Sequence, residues 1–267
     1  MTTRAAILIA SPTVNYGSYS ATCLEGTKED IKEWKRFLTI PIGGCWYDSG
    51  PQNEIFDMSD QTQSMIFKQI EKLKGVDYIF FVYSGHGIST VSDDFIFPNH
   101  GRDCISVHEL KKAIAETTTK GTLLINACRN QNPYFNPNLS FTAPTIKPEL
   151  LLEASDKTFR NMWDKAFEDS LTTGIVTIFS CERGKESYMY PPNGQYSLFY
   201  QMMFDVINRS KDQLNVGKAF KSARDNTRNF ATNKIVSGDQ VPFCDNEDVD
   251  YPLSLGSTWV QAEYLMG

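Results

Sequence analysis

A histidine held between two glycines, Gly85-His86-Gly87, and a cysteine followed by an arginine, Cys128-Arg129, are the residues of this sequence best equipped for covalent chemistry. The thiolate is the nucleophilic form of cysteine, so a reactive Cys128 needs a cation or a general base beside it. His86 is such a base. Its flanking glycines leave room for a substrate backbone, and the amides of Gly87 and Cys128 would be two donors to a developing oxyanion. The chemistry implied is attack of Cys128 on a carbonyl carbon, with His86 moving the proton. Taken alone, a cysteine is usually an inert buried thiol and a histidine a packed core residue. What changes the balance is that each stands at the end of an apolar run.

Val76-Asp77-Tyr78-Ile79-Phe80-Phe81-Val82-Tyr83 leads into the histidine motif, and Thr122-Leu123-Leu124-Ile125 leads into Asn126-Ala127-Cys128. Such β-branched and aromatic runs read as strands buried on both faces of a parallel sheet. Open parallel sheets carry their chemistry just beyond the carboxyl ends of the strands. The rest of the chain alternates in the same way. Strands are expected at 5–10, 45–47 (Cys45-Trp46-Tyr47), 174–180 and 240–244, with a loop at 11–21. A helix over 27–38 would be capped by Thr27 with Asp30 at its third position, in a capping-box-like arrangement. A second, opening at Ser59 or Asp60 and running to 74, would turn Met65, Ile66, Ile70 and Leu73 to the sheet. Ser106 caps a helix to about 115, after a hairpin or irregular excursion at 93–98. Further helices are read from near Asp156, over 196–207 and over 216–230. Residues 131–155, with four prolines, form a long loop or linker. The fold class is α/β, a mostly parallel sheet of about six strands between helices, in one domain over 1–267.

Composition excludes several functions. The 267 residues are 41% apolar and 22% charged, as in an ordinary globular domain. A net charge of −6 with no long Lys or Arg run disfavours nucleic acid as a partner. The longest apolar run near the N-terminus, 5–10, is too short for a membrane span or a secretory signal. A cytoplasmic location is the default expectation. The six scattered cysteines are then free thiols.

The two motifs, Ser84-Gly85-His86-Gly87 and Asn126-Ala127-Cys128-Arg129, lie 42 residues apart and resemble the histidine and cysteine motifs of the caspase-like cysteine peptidases, which include caspases, metacaspases, paracaspases and bacterial relatives. Leu24, Gly26 and Asp30 match a metacaspase pattern, and residues 180–199 are similar to the segment that holds substrate. The resemblance implies a three-layer caspase-like sandwich and an endopeptidase acting through a thioacyl-enzyme. Cys128 would attack, His86 would protonate the leaving amine and then activate water, and the Gly87 and Cys128 amides would form the oxyanion hole. Substrate would add as a strand beside Ser187, Tyr188 and Met189.

Specificity is where the sequence departs from the caspases. Their two arginines for an acidic P1 side chain fall on Leu24 and Met189, and their glutamine falls on Asn126. Metacaspases hold a basic P1 with acidic groups at the positions of Asp30 and Asn126. Asp30 is kept and Asn126 still offers an acceptor, so cleavage after Arg or Lys is expected. Asp30 has an alternative role as a helix-capping group. A basic P1 would also make Lys147 and Lys157 sites of self-processing, in place of or beside an activating partner.

No cofactor is expected. His100, Cys104 and His108 are spaced for one face of a helix, but Gly101 and the Ser106 cap break that helix, so no metal is assigned to them. Asp93 and Asp94 resemble the calcium-binding acidic loops of some metacaspases, although two adjacent carboxylates do not specify a Ca2+ site. The alternatives to a basic-specific peptidase are a catalytically silent or zymogen-like interaction module, a peptidase with a non-basic P1, and another thiol enzyme such as an acyltransferase.

Overall fold

A computed structural model describes residues 2–16, 19–21, 23–130, 156–190, 196–235 and 239–258. The long linker at 131–155, with Lys147, lies outside the described residues. The chain opens with β1 (Arg4–Ser11), a short hairpin of β2 (Val14–Tyr16) and β3 (Tyr19–Ala21), and α1 (Gly26–Thr39). Next come β4 (Ile55–Asp57), α2 (Gln63–Lys72), β5 (Tyr78–Gly85), β6 (Gly87–Ser89), β7 (Asp94–Ile96), the single turn α3 (Pro98–Gly101), β8 (Ile105–Ser106), α4 (Val107–Ala115) and β9 (Lys120–Asn126). The remainder is α5 (Asp156–Glu168), β10 (Gly174–Phe179), α6 (Leu198–Arg209), β11 (Leu214–Asn215), α7 (Val216–Lys234), β12 (Phe243–Cys244) and β13 (Pro252–Ser254).

Six strands form the central sheet in the order β12-β10-β9-β5-β1-β4. All its pairings are parallel except that of the edge strand β12 with β10. The strand period of two divides the core. Ala6, Leu8, Phe80 and Val82 face a layer holding Trp34, Trp163 and Tyr200, from α1, α5 and α6. Ala5, Ile7, Ile79 and Phe81 face Ile66 and Ile70 of α2 and Leu110 and Ile114 of α4. Because both faces are covered, the strands had to be apolar throughout, at about 1.5–3 kcal/mol for each fully buried large side chain. The result is the three-layer, mostly parallel sandwich expected.

Local expectations fail where the backbone conformation or burial overrode them. Residues 11–21 contain the β2–β3 hairpin and not only a loop. Cys45-Trp46-Tyr47 is no strand: Cys45 sits at φ 51°, and the amides of Cys45 and Trp46 bond back to Ile40 and Leu38. Thr27 is no cap, because the helix already includes Gly26 and is preceded by Glu25 with helical dihedrals. Helix α2 starts after Thr62, whose side chain accepts from Met65 N, and Asp60, at φ 64°, lies outside it. Met65 is 51% exposed and does not face the sheet. The expected last strand is reduced to Phe243–Cys244, leaving Gln240 and Val241 off the sheet. The Ser106 cap holds, its Oγ accepting from Glu109 N at 3.0 Å.

Arg160 of α5 donates to both carboxylate oxygens of Glu54, at 2.7 and 2.8 Å. Arg4 lies between the rings of Trp46 and Trp163, 4.6 Å from each. These buried contacts fix α5 against the sheet, with Lys157 exposed in its first turn. Among the described residues no helix is long and apolar enough to cross a membrane.

Candidate active site

Strands β5 and β9 are adjacent, and their register pairs Ser84 with Asn126. His86 and Cys128 each stand two residues beyond that pair, so they leave the sheet side by side. Both line one cavity, together with Gly87, Asn126, Ser187 and Met189, and with Leu24 and Thr27 on the α1 side. No lysine or arginine is among the described residues lining it.

His86 Nε2 lies 3.2 Å from the carbonyl oxygen of Pro12, just past β1. A carbonyl only accepts, so this bond places the proton on Nε2 and the lone pair on Nδ1. The ring is thereby presented as a base. The Tyr83 hydroxyl donates to the His86 carbonyl at 2.7 Å and fixes the backbone there. Gly87 must lack a side chain: a Cβ would come within 2.8 Å of the Cys128 carbonyl oxygen and 2.7 Å of Ala127 Cβ. The backbone segments bearing the two expected oxyanion donors are therefore packed together.

The Cys128 thiol accepts from Ser187 N at 3.5 Å and donates to the Ser187 carbonyl at 3.6 Å. Burial pushes it up to about 11, with the Ser187 amide opposing the rise and Glu186 adding to it. At neutral pH the sulfur is a thiol, and any attack by it on a carbonyl carbon would have to shed the proton in the same step. Arg129, the cation next to Cys128 in sequence, is turned away. Its guanidinium donates to both oxygens of Asp94, at 3.0 and 2.7 Å, and to the Cys181 carbonyl at 3.1 Å, and it stacks 3.8 Å over Phe179. Burial alone would raise Asp94, but the bonds from Arg129 and Arg183 hold it at about 2. Arg129 is a structural anchor for the cysteine loop.

Asp30, fully buried, stands one layer behind the cavity wall. It accepts from Ser84 Oγ at 2.5 Å, from Ser197 N at 2.9 Å and from Asn126 Nδ2 at 3.5 Å. Burial pushes it up to about 7, against the pull of the Ser84 and Ser197 bonds. Asn126 turns its Oδ1 outward to accept from Ser187 Oγ at 2.8 Å. The expected pocket residues Asp30, Asn126 and Ser187 thus form one network. Tyr188 stands beside it, packed partly against the core. Asp30 is a helical residue with its carboxylate directed into this network, so the capping alternative falls.

Sequence reasoning passed over Ser84, Ser197, Pro12 and Gln240 as functional neighbours. Pro12 acts through its carbonyl, which no side-chain pattern marks. Ser84 was visible inside the histidine motif. The His100, Cys104 and His108 series does not converge: His100 pairs with Asp60 at 2.8 Å, and no group of three ligands for a metal occurs among the described residues. Asp94 is taken up by its two arginines, and Asp93 accepts from Ser106 Oγ.

The caspase-domain profile matches residues 3–251. No curated protein sequence matches the chain. Caspase-1 of Spodoptera frugiperda, a solved structure, has a similar fold with TM-score 0.58 and 12% identity, covering 96% of this chain and 90% of that one. At that identity the likeness speaks for the fold, and the profile speaks for the family. With that match spanning nearly its whole length, the chain belongs to the caspase-domain family of cysteine peptidases.

Proposed function

We propose that the chain is a cysteine endopeptidase that cleaves protein or peptide substrates after Arg or Lys. The observation that carries this is a cavity joining His86, Gly87 and Cys128 to the acidic network around Asp30, with no cation among the described residues of its walls. Thr27 adds to it: its hydroxyl is buried without a partner among the described residues, and the residue lines the cavity. A donor-rich guanidinium or ammonium group would donate to that hydroxyl and to the second lone pair of the Asn126 oxygen, beside Ser187 Oγ. An acidic P1 side chain would instead meet acceptors and a carboxylate.

In the reaction, Sγ of Cys128 attacks the scissile carbonyl while its proton passes to Nδ1 of His86. The amides of Gly87 and Cys128 receive the oxyanion. His86 then protonates the leaving amine, and water activated by the same nitrogen hydrolyses the thioester. The P1 side chain lies against Thr27 and Asn126, with Asp30 supplying the negative charge behind them.

The test is turnover of fluorogenic peptides carrying Arg, Lys, Asp or Asn at P1, with and without Ca2+, alongside Cys128→Ala. Cleavage after Arg or Lys that disappears in the variant is expected. Cleavage after Asp would overturn the pocket assignment, and a folded protein silent on every peptide would overturn the peptidase reading.

A further inference from the structure

Gln240 is fully buried, although it belongs to no strand or helix and lies 52 residues beyond Tyr188 in sequence. Its Nε2 donates to the Ser180 carbonyl at 2.8 Å, and its Oε1 accepts from Tyr188 N at 2.9 Å. A weaker contact of 3.4 Å joins Nε2 to Ser187 Oγ, which itself bonds Asn126. One primary amide therefore ties the exit of β10 to the segment running past Cys128. A carboxamide is the side-chain group that offers a donor and an acceptor together in this way.

The consequence follows from strand geometry. Main-chain groups of successive residues in an extended segment point to opposite edges. Both polar groups of Tyr188 are used on the rear edge: its N–H by Gln240, and its carbonyl by Leu198 N at 2.8 Å. Met189 makes a bridge with Ser197 whose bonds run through the residues either side of it, Tyr188 to Leu198 and Tyr190 to Tyr196. The N–H and carbonyl of Met189 are thereby left on the forward edge, as is the Ser187 main chain that meets Cys128.

We propose that Gln240 is a positioning residue that sets the edge on which substrate pairs, holding Ser187 and Met189 in register with Cys128. This rests on the peptidase reading above and deepens it. A peptide adding to that edge gains main-chain bonds only while Tyr188 is held from behind. Gln240 touches neither the nucleophile nor the P1 side chain.

The experiment compares the full-length protein with Gln240→Met and Gln240→Glu on two substrates. One is a tetrapeptide amide with Arg at P1, which spans Met189. The other is a single-residue arginine amide, which does not. For Gln240→Met, kcat/KM on the tetrapeptide falls by about 10- to 100-fold, while the single-residue substrate loses far less. Gln240→Glu carries a pH signature. Protonated, its carboxyl donates to Ser180 and accepts from Tyr188; ionised, it repels the Ser180 carbonyl. Its tetrapeptide activity relative to wild type therefore rises as pH falls from 8 to 5. Equal losses on both substrates, with a flat pH ratio and a lowered Tm, would show a merely structural role and overturn the proposal. So would a wild-type kcat/KM in Gln240→Met. If the wild-type protein cleaves neither substrate, the reading of a peptidase that acts after Arg has failed and this one fails with it.

Discussion

Replacing Asp30 by Asn separates two consequences of one buried carboxyl. Folding raises Asp30 from its ordinary 3.8 to about 7, chiefly through burial. Between those values the native state binds the proton more tightly than the unfolded chain. Stability is therefore greatest below pH 4, falls as pH rises through 7, and is level beyond. At ~1.4 kcal/mol per pH unit the loss amounts to at most about 4 kcal/mol. The variant keeps one oxygen for Ser197 N, turns an amide donor toward Ser84 Oγ, and never ionises. Its Tm, followed by thermal melts from pH 4 to 8, should lose most of the wild-type decline. The same change should reach specificity. The ratio of kcat/KM for an Arg P1 peptide to that for a Gln P1 peptide cancels any pH dependence of the chemical steps, which acts on both substrates alike. In the wild type that ratio should climb about 10- to 100-fold from pH 5 to 8 as Asp30 ionises, the worth of one charge-assisted contact. In Asp30→Asn it should be low and flat. A wild-type ratio independent of pH, or an unchanged Arg preference in the variant, would show that Asp30 does not set P1 charge.

Because burial holds Cys128 near 11, its alkylation by iodoacetamide should accelerate about tenfold per pH unit from 7 to 10 without levelling off, and Cys128→Ala identifies the site. A plateau below pH 8 would show a resting thiolate. Asp94→Asn leaves the buried Arg129 guanidinium without its counter-charge and should cost about 3–5 kcal/mol in urea unfolding. In the wild type this pair should be complete above the ordinary 3.8 of an aspartate and be lost as pH falls through about 2.

The central strands and the two reactive residues were readable because continuous apolar runs ending in Gly-His-Gly and Ala-Cys-Arg admit few other structures. Residues 45–47 misled because Cys45 takes a left-handed conformation that its apolar neighbours do not announce. Thr27 looked like a cap, but the chain folds into helix one residue sooner and the residue lines the cavity instead. Met65 sits on the apolar stripe of α2 only by spacing, since the helix starts after Thr62 and rotates it outward. Asp30 and Asn126 were found by resemblance; that Ser84 and Ser197 complete their network is a long-range fact no local pattern holds. Gln240 was hidden for the same reason: a polar residue in a short apolar run reads as a strand's solvent face, yet here it is the most buried part of its loop.

The pairing of Ser84 with Asn126 across β5 and β9 has a kinetic corollary. The amides of these central strands should be among the slowest in the molecule to exchange with solvent, opening only when the whole sheet opens. His86 and Cys128 are displayed from that slowest unit. Fraying of the hairpin, the surface turns or the helix ends leaves their separation untouched, so heat inactivation and loss of the central sheet should be one event seen by two probes.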